Sequence, residues 1–371
     1  MRDGGFNGFK FSDSSFIISC LQREYESVLL MNETLQNLVR EKLCPEGVWE
    51  LSDAMKSVLS YHISRLPKKQ VTETDTRYPV CAASMLAFLE VFFARHYFQI
   101  QNSLISYMLS REFLDILISG VVRFLDIGSG PAVASLAVTD ILACILEYFR
   151  DLGVMPRDNA VKILYVLNDT SGICLGTGIS MLKNYFRVGG KRGSGAIRNQ
   201  IITIQRAFPD NINQLRRIAR NFGIYNIATL SYVVVPLSED SGLHNLVNGL
   251  LKVEELCDPA GRILILQDKF NVSLMRRISK AVGASNQKEE LTQQLYPNRN
   301  ANETYSYSYY SCLYSPNKEM TDMQNYLKGL SPYHAVTFDR AASVFEYVPD
   351  FRRFSAKADR DILIETANCI D

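Results

Sequence analysis

The sequence lacks any pair of cysteines close enough to form a Cys-x-x-Cys motif. Its eight cysteines stand at positions 20, 44, 81, 144, 174, 257, 312 and 369, and they do not cluster with the four histidines. This spacing argues against the common structural zinc motifs, so we predict neither a bound metal nor a disulfide framework. Scattered thiols of this kind are typical of a reducing compartment, and we predict a cytoplasmic location.

Long apolar runs and an excess of one charge are also missing. No stretch approaches the ~18 uncharged apolar residues of a membrane helix, and the opening residues "MRDGGFNGFKFSDSSF" lack the apolar core of a secretory signal. Lys and Arg number 40 against 39 Asp and Glu, so the overall charge indicates no class of partner. We predict a protein without membrane association. Its 371 residues, 47% of them hydrophobic, suffice for one large core or two domains.

The pattern divides the chain into three parts. Residues 1–17 are rich in Gly and Ser and are predicted to be loose. From residue 18 to 120 apolar residues recur at helical spacing, which predicts a helical N-terminal domain or lid. One predicted helix, 51–66, offers Ser52 or Asp53 as its cap, and two more are predicted at 78–100 and 102–120.

After residue 120 strands and helices alternate. Five strand–helix units follow one another, and their strands are apolar on both faces, which predicts an α/β fold with a mainly parallel sheet covered by helices. The tyrosine-rich segment 290–318 and the stretches 342–351 and 361–368 read as later strands, with an antiparallel pair at one edge. We predict one sheet domain over 121–371, with 290–318 as an insertion.

The stretch "FLDIGSGPAVASLA", residues 124–137, marks a candidate ligand site. A strand ends at Asp126 and runs into Gly128 and Gly130, where a ligand can approach the backbone closely. Small residues then begin a helix whose N–H groups would point at that ligand. A dinucleotide turn, G-x-G-x-x-G, requires a third glycine where Val133 stands. A nicotinamide enzyme is further disfavoured because no obvious catalytic His is present.

This turn resembles the "DxGSGPG" variety found in class I, Rossmann-like methyltransferases that use S-adenosylmethionine. Asp126, Gly128 and Gly130 fit the motif, and Ala132 replaces the commoner glycine. The resemblance covers about residues 80–270. It implies a Rossmann-like sheet of about seven strands with helices on both faces, and S-adenosylmethionine as the cofactor.

The resemblance also implies roles for residues at the ends of the next strands. Asp169 would accept the ribose hydroxyls, with capping of the following helix as the alternative. The loop after the third strand would place Gln205, Ala207 and Phe208 around the adenine. An aromatic residue after a strand usually packs on the core, which is the alternative for Phe208. Ser231 and Tyr232, at the end of the fourth strand, are the candidate catalytic residues, or else residues at the edge of the core.

The methyl acceptor is not indicated by a known motif. Residues 181–220 are strongly basic, and Lys191 and Arg192 lie in a glycine-rich loop that would track phosphates or form a solvated surface. Tyr305, Tyr307 and Tyr309 alternate, so in a strand they share one face. That face would stack on bases, line an aromatic substrate pocket or pack on the core. A small-molecule or protein acceptor is slightly favoured over RNA.

Two further expectations concern partners. Some relatives with a similar turn act in ribosome assembly and bind RNA, so a non-catalytic or weakly catalytic RNA-binding protein is the alternative function. The chain lacks the cysteine cluster that those relatives often carry. The stretch "FLEVFFARHYF", residues 88–98, is apolar around most of a helix and predicts either packing on the sheet or a homodimer through the N-terminal helices.

Overall fold

The computed structural model describes residues 43, 48–66, 79, 81–151, 160–188, 193–233, 240–268, 271–294 and 304–316. The α-helices described there are α1 Asp53–Arg65, α2 Ala82–Val91, α3 Phe93–Met108, α4 Arg111–Ile118, α5 Val133–Asp151, α6 Gly172–Val188, α7 Ile212–Phe222, α8 Asp240–Glu254 and α9 Val272–Ala281. The strands are β1 Val121–Ile127, β2 Val161–Asp169, β3 Ile197–Gln205, β4 Tyr225–Ser231, β5 Cys257–Asp268, β6 Gln287–Gln294 and β7 Thr304–Tyr314.

These strands form one sheet in the order β3-β2-β1-β4-β5-β7-β6. The first five run parallel, whereas β7 is antiparallel to both β5 and β6. The predicted α/β, Rossmann-like fold with about seven strands is therefore confirmed, including its antiparallel pair at one edge. After β3 the chain crosses to the other side of β1 and forms β4, so the switch in strand order lies between β1 and β4. Ligands of open α/β sheets bind at such a switch point.

The core lies on both faces of the sheet because successive side chains of a strand point to opposite faces. In β1, Phe124 packs into the cluster with α3, α5 and α6, and Leu125 packs into the cluster with α7, α8 and α9. Both side chains are fully buried. Helices therefore cover both faces, which explains why the central strands read as continuous apolar runs.

The N-terminal helices pack directly on this sheet. Almost every residue of α3 is buried, and its cluster is continuous with that of α5 and the sheet. This burial accounts for the apolar character of residues 88–98 within one chain, while the homodimer and the domain boundary at residue 120 stay predictions. The predicted cap Ser52 is confirmed, because its hydroxyl accepts a hydrogen bond from the N–H of Met55.

Two predicted boundaries are wrong. The region 78–120 holds three helices rather than two, because the Ser110 hydroxyl accepts from the N–H of Phe113 and starts α4 afresh. The apolar stretch "YNIATLSYVVVP", residues 225–236, predicts a longer fourth strand than the one observed, which ends at Ser231 because Tyr232 has a φ of +59°. A further helix is predicted from the helical spacing of residues 21–43, and all of it except Leu43 lies outside the described residues, as do residues 1–17, 342–351 and 361–368.

No helix in the described part of the chain is long and apolar enough to cross a membrane.

Candidate functional site

The turn after β1 carries three residues in the left-handed region. The φ angles are +66° at Gly128, +52° at Gly130 and +60° at Ala132. An alanine there costs on the order of 1 kcal/mol relative to glycine, so the surroundings must hold it. Gly178 of α6 packs against it so closely that a Cβ on Gly178 would lie 2.9 Å from the Cβ of Ala132. The turn is therefore held by the helix that follows β2.

Asp126, next to this turn, is held by its own hydrogen bonds. Its carboxylate accepts hydrogen bonds from the N–H and the hydroxyl of Ser135, at 3.2 and 2.8 Å, and from the hydroxyl of Thr229 at 3.1 Å. Only 1% of the residue is exposed, and this burial raises the pKa of Asp126 to about 6 although the Ser135 and Thr229 hydrogen bonds lower it. The carboxylate thus links β1, α5 and β4, and its contact with a cofactor stays a prediction.

Asp169 joins the ends of β2 and β1. One carboxylate oxygen accepts from the N–H of Gly130 at 2.8 Å, and the other accepts from the N–H of Ser171 at 2.7 Å. The bond to Ser171 lies just before α6, whose first turn is capped by the Ser171 hydroxyl, which accepts from the N–H of Cys174 at 3.3 Å. The bond to Gly130 places the carboxylate directly beside the glycine turn.

The loop after β3 lies next to Asp169. The side-chain amide of Gln205 donates to the carbonyl of Thr170 at 3.3 Å, and Ala207 is exposed. Phe208 belongs to the core cluster on the α8 face, where a Cβ on Gly249 would lie 2.9 Å from its ring. The ring thus packs against α8, which agrees with the packing character expected of it.

The end of β4 brings Tyr232 against α3. Its ring stacks on His96 with centroids 3.9 Å apart and planes 11° from parallel, and its hydroxyl donates to the Oε1 of Gln99. Burial and the neighbouring guanidinium of Arg95 lower the pKa of His96 to about 3, so the imidazole is neutral. The Ser231 hydroxyl is buried and has no hydrogen-bond partner among the described residues.

The tyrosine face of β7 packs on α3. The Tyr307 hydroxyl lies 2.9 Å from the carbonyl oxygen of Arg95 and 2.8 Å from Oε1 of Gln293. The side-chain amide of Asn102 donates to the hydroxyl of Tyr309 at 2.8 Å. Both rings are buried, so of the three predicted uses of this face the structure shows core packing. For Tyr305 only the strand position is described, and Lys191 and Arg192 lie outside the described residues.

Three aromatic residues near the turn were not predicted as site residues: Phe88, Phe92 and His96. Their spacing of four residues places them on one face of the α2–α3 region, and this was the signal available in the sequence. A Cβ on Gly130 would lie 3.9 Å from Cζ of Phe88, so α2 stands directly over the turn.

Metal-binding groups do not converge in the described part of the molecule, where no three His, Cys, Asp or Glu side chains form a cluster. The five described cysteines, Cys81, Cys144, Cys174, Cys257 and Cys312, form no disulfide with one another.

The described residues define an α/β, Rossmann-like protein with a candidate ligand site at the carboxyl ends of β1, β2 and β4. A scan against protein-family models and a search of curated proteins both find no match. Solved structures similar to the chain include methyltransferases, two of which are described as dependent on S-adenosylmethionine, and a precorrin-8w decarboxylase.

Three of these solved structures illustrate the level of similarity. A putative class I methyltransferase from Listeria monocytogenes has 12% identity and a TM-score of 0.35, and the match covers 82% of this chain and 86% of that one. A precorrin-6y C5,15-methyltransferase from Geobacter metallireducens has 10% identity and a TM-score of 0.33, over 55% and 87%. A methyltransferase from Agrobacterium tumefaciens has 14% identity and a TM-score of 0.33, over 62% and 64%. Similarity this low establishes nothing about substrates.

Proposed function

We propose that the chain binds S-adenosylmethionine across the turn 128–132 and transfers its methyl group to an acceptor. The observation that carries the proposal is the left-handed turn at the switch point of the sheet, joined by Gly130 to the carboxylate of Asp169. This is the acid and glycine arrangement that the sequence resemblance implies. The acceptor class, catalytic activity and a cytoplasmic location are parts of the same proposal.

The residues present fit such a cofactor. A Cβ on Gly130 would meet no atom closer than Cζ of Phe88, at 3.9 Å, so a side chain there would fill the space between the turn and α2. Asp169 would hold the ribose, since a carboxylate offers about four acceptor positions and can hold hydroxyl groups beside backbone N–H groups. The loop from Gln205 to Phe208 would flank the adenine, with Ala207 its most open member.

S-adenosylmethionine supplies a methyl group on a positively charged sulfur. For methyl transfer, a protein acts mainly by holding donor and acceptor in line and close together. In this chain the turn 128–132 and Asp169 would orient the cofactor, and Tyr232, at the end of β4, would border the acceptor. Ser231 stays a candidate beside Tyr232, since its buried hydroxyl has no hydrogen-bond partner among the described residues.

Calorimetry on the full-length protein tests the proposal. S-adenosylmethionine and its demethylated product S-adenosylhomocysteine should both release or absorb heat with one-site stoichiometry, whereas NADH should not. Transfer of a labelled methyl group into fractions of a cell extract then tests catalysis. Binding of NADH together with failure of both sulfur compounds would refute the proposal.

A second candidate is RNA binding without efficient methyl transfer. It is favoured by exposed basic residues on α6, β3, α7 and the loop after β3: Lys183, Arg187, Arg198, Arg206, Arg217 and Arg220. Another basic residue of the same region, Arg216, lies 3.8 Å from the carboxylate of Glu255. Such pairing is expected of an ordinary surface on which positive and negative charges balance. The salt dependence described in the Discussion separates these two possibilities.

A further inference from the structure

Four aromatic rings form a continuous surface at the candidate site. Phe88, Phe92 and His96 lie with ring centroids 5.8–6.0 Å apart, and His96 stacks on Tyr232. We call these four residues the aromatic wall. Helical hydrogen bonds from the N–H of Phe92 to Phe88 and from the N–H of His96 to Phe92 keep their three helical members on one face.

The aromatic wall lies at the edge of the core, and Phe88 and Tyr232 pack against its buried residues. Each of the four residues is nevertheless partly exposed, whereas the neighbouring rings of Phe93, Tyr97 and Phe98 are fully buried. Core packing thus leaves part of this row of rings exposed, and aromatic faces bind flat ligands by offset stacking. The row therefore has the form of a ligand-binding surface.

Tyr232 adopts an unfavourable backbone conformation where it contributes its ring to the aromatic wall. Its φ of +59° lies in the left-handed region, which is unfavourable for a bulky residue and persists only where neighbours enforce it. The stack on His96 and the hydroxyl bond to Gln99 are those neighbours. The backbone at the end of β4 is thus bent to present this ring beside α3.

The position of the wall relates it to the proposed methyl transfer. Phe88 stands over the glycine turn, and Tyr232 ends β4, on the side of the turn opposite to β2 and β3. If Asp169 and the loop after β3 hold the ribose and adenine, the reacting end of the cofactor faces β4. The wall then borders the reacting end rather than the adenine.

The wall is uncharged. His96 is neutral, and the nearest cation, Arg95, lies 3.3 Å from the carboxylate of Asp268. Aromatic cages that bind cations work by attraction between the ring faces and the charge, and acids commonly add to it. Here the only described acid near Tyr232 is already paired with Arg95, which favours a neutral ligand. His96 makes no ring hydrogen bond to the described residues, so one imidazole nitrogen is available to accept one.

We propose that the aromatic wall is the acceptor subsite and that the acceptor is a neutral, planar aromatic small molecule bearing a hydroxyl or N–H group. The planar ring stacks on Phe92 and Tyr232, and its polar hydrogen is donated to His96. This proposal rests on the proposed methyltransferase function, but the binding it requires is measured without catalysis.

The test uses the full-length protein and three probes, with and without saturating S-adenosylhomocysteine. The probes are 2-naphthol, its saturated counterpart decahydro-2-naphthol, and tetramethylammonium, each titrated by ligand-observed NMR. We expect 2-naphthol to bind at least about 5-fold more tightly than the saturated alcohol, and Phe92→Leu or His96→Gln to weaken it about 3- to 10-fold. Phe186→Leu, a partly buried aromatic near the far end of α6, is the matched control and should change nothing.

Each other result has a definite meaning. Equal binding of 2-naphthol and its saturated counterpart, no effect of Phe92→Leu, or a preference for tetramethylammonium would overturn the aromatic acceptor while leaving cofactor binding intact. An equal loss of S-adenosylhomocysteine affinity in Phe92→Leu would reassign the wall to the cofactor. If S-adenosylhomocysteine does not bind but 2-naphthol still depends on Phe92, the methyltransferase proposal fails, and the wall is a ligand site of another function.

Discussion

The carboxylate of Asp169 lies 2.8 Å from the backbone nitrogen of Gly130 and accepts its hydrogen bond. The residue that ends β2 thereby holds the turn that follows β1. Asp169 has a second bond to the N–H of Ser171, so one side chain ties together three segments at the carboxyl edge of the sheet. The Asp169 carboxylate therefore has a structural role, and in the proposed function the same carboxylate also binds the ligand.

Replacement of Asp169 separates these roles. Asp169→Ala should weaken the binding of S-adenosylmethionine by about 10- to 100-fold, because charge-assisted hydrogen bonds contribute ~1.5–3 kcal/mol. It should also lower the free energy of unfolding by roughly 1–3 kcal/mol, because the buried N–H of Gly130 and the partly buried N–H of Ser171 lose their acceptor. Asp169→Asn should retain more stability than Ala. Calorimetry on the folded variant and urea unfolding measure the two effects; lost stability with unchanged cofactor affinity would leave Asp169 only the structural role.

The close approach of Val233 to Gly128 gives a second prediction. A Cβ there would lie 2.1 Å from Cγ2 of Val233, and the φ of +66° disfavours any side chain. Gly128→Ala should therefore destabilise the protein by on the order of 1–3 kcal/mol and weaken the cofactor. Val233→Ala in the same chain should restore part of the stability, since it removes the clashing methyl group but not the backbone strain. Thermal unfolding of both single variants and the double variant measures the coupling. Strictly additive effects would contradict the contact.

The buried carboxyl of Asp126 predicts a pH dependence. Its folded-state pKa of about 6 lies above the ordinary 3.8, so the folded protein holds the proton more tightly than the unfolded chain. The associated stability is fully present below about pH 4 and is lost as the pH rises to about 6, an effect on the order of 2–3 kcal/mol. Asp126→Asn mimics the protonated group, so urea unfolding across pH 4–7 should show a flatter profile than wild type. Parallel profiles would contradict the buried, perturbed carboxyl.

Asp140 of α5 joins the N-terminal helices α1 and α3 to α6, a helix that packs on the sheet. Its carboxylate accepts from the hydroxyls of Tyr97 on α3 and Tyr185 on α6, both at 2.6 Å, and from Ser52 at 3.0 Å. Tyr97→Phe and Tyr185→Phe should each destabilise the protein by roughly 1–3 kcal/mol, because a buried acceptor loses a partner. The double variant should depart from additivity by at least ~0.5 kcal/mol, since both donors serve one group. Urea unfolding checks this, and Tyr61→Phe on the outer part of α1 is a control that should have little effect.

The basic stretch distinguishes RNA from other acceptors. If Lys191, Arg192 and Arg198 contact phosphates, the logarithm of RNA affinity should fall with the logarithm of salt concentration by about 0.7–0.9 per contact. Replacing all three by Ala should flatten that slope by about two to three units without altering cofactor affinity. Filter binding at several salt concentrations measures it. Wild-type binding no stronger than that of a neutral control protein at low salt would leave a small-molecule or protein acceptor.

Periodicity was enough to predict the sheet because its signal is local. Strands buried on both faces are apolar throughout, and β1 and β2 follow that pattern over nearly their whole length. The glycine turn was equally visible, since close backbone approach restricts which residue types are tolerated. Helix boundaries were less accurate: the break at Ser110 depends on a single capping hydroxyl within an otherwise helical pattern.

Side-chain roles at the site depended on contacts between distant segments. From the sequence, Asp126 was a candidate cofactor residue, yet Thr229 and Ser135 surround its carboxylate because β4 and α5 pack beside β1. In the same way Tyr307 was a candidate for stacking on a substrate, but α3 covers it.

The sequence by itself determined the α/β class, the parallel strands and the position of the turn, because apolar periodicity and glycine spacing are properties of short segments. Only the tertiary structure decided that α2 and α3 stand over that turn and that His96 meets Tyr232, 136 positions later in the chain. No local pattern encodes that meeting, because it results from the packing of α3 on the ends of β4, β5 and β7. The aromatic wall exists only in the folded chain.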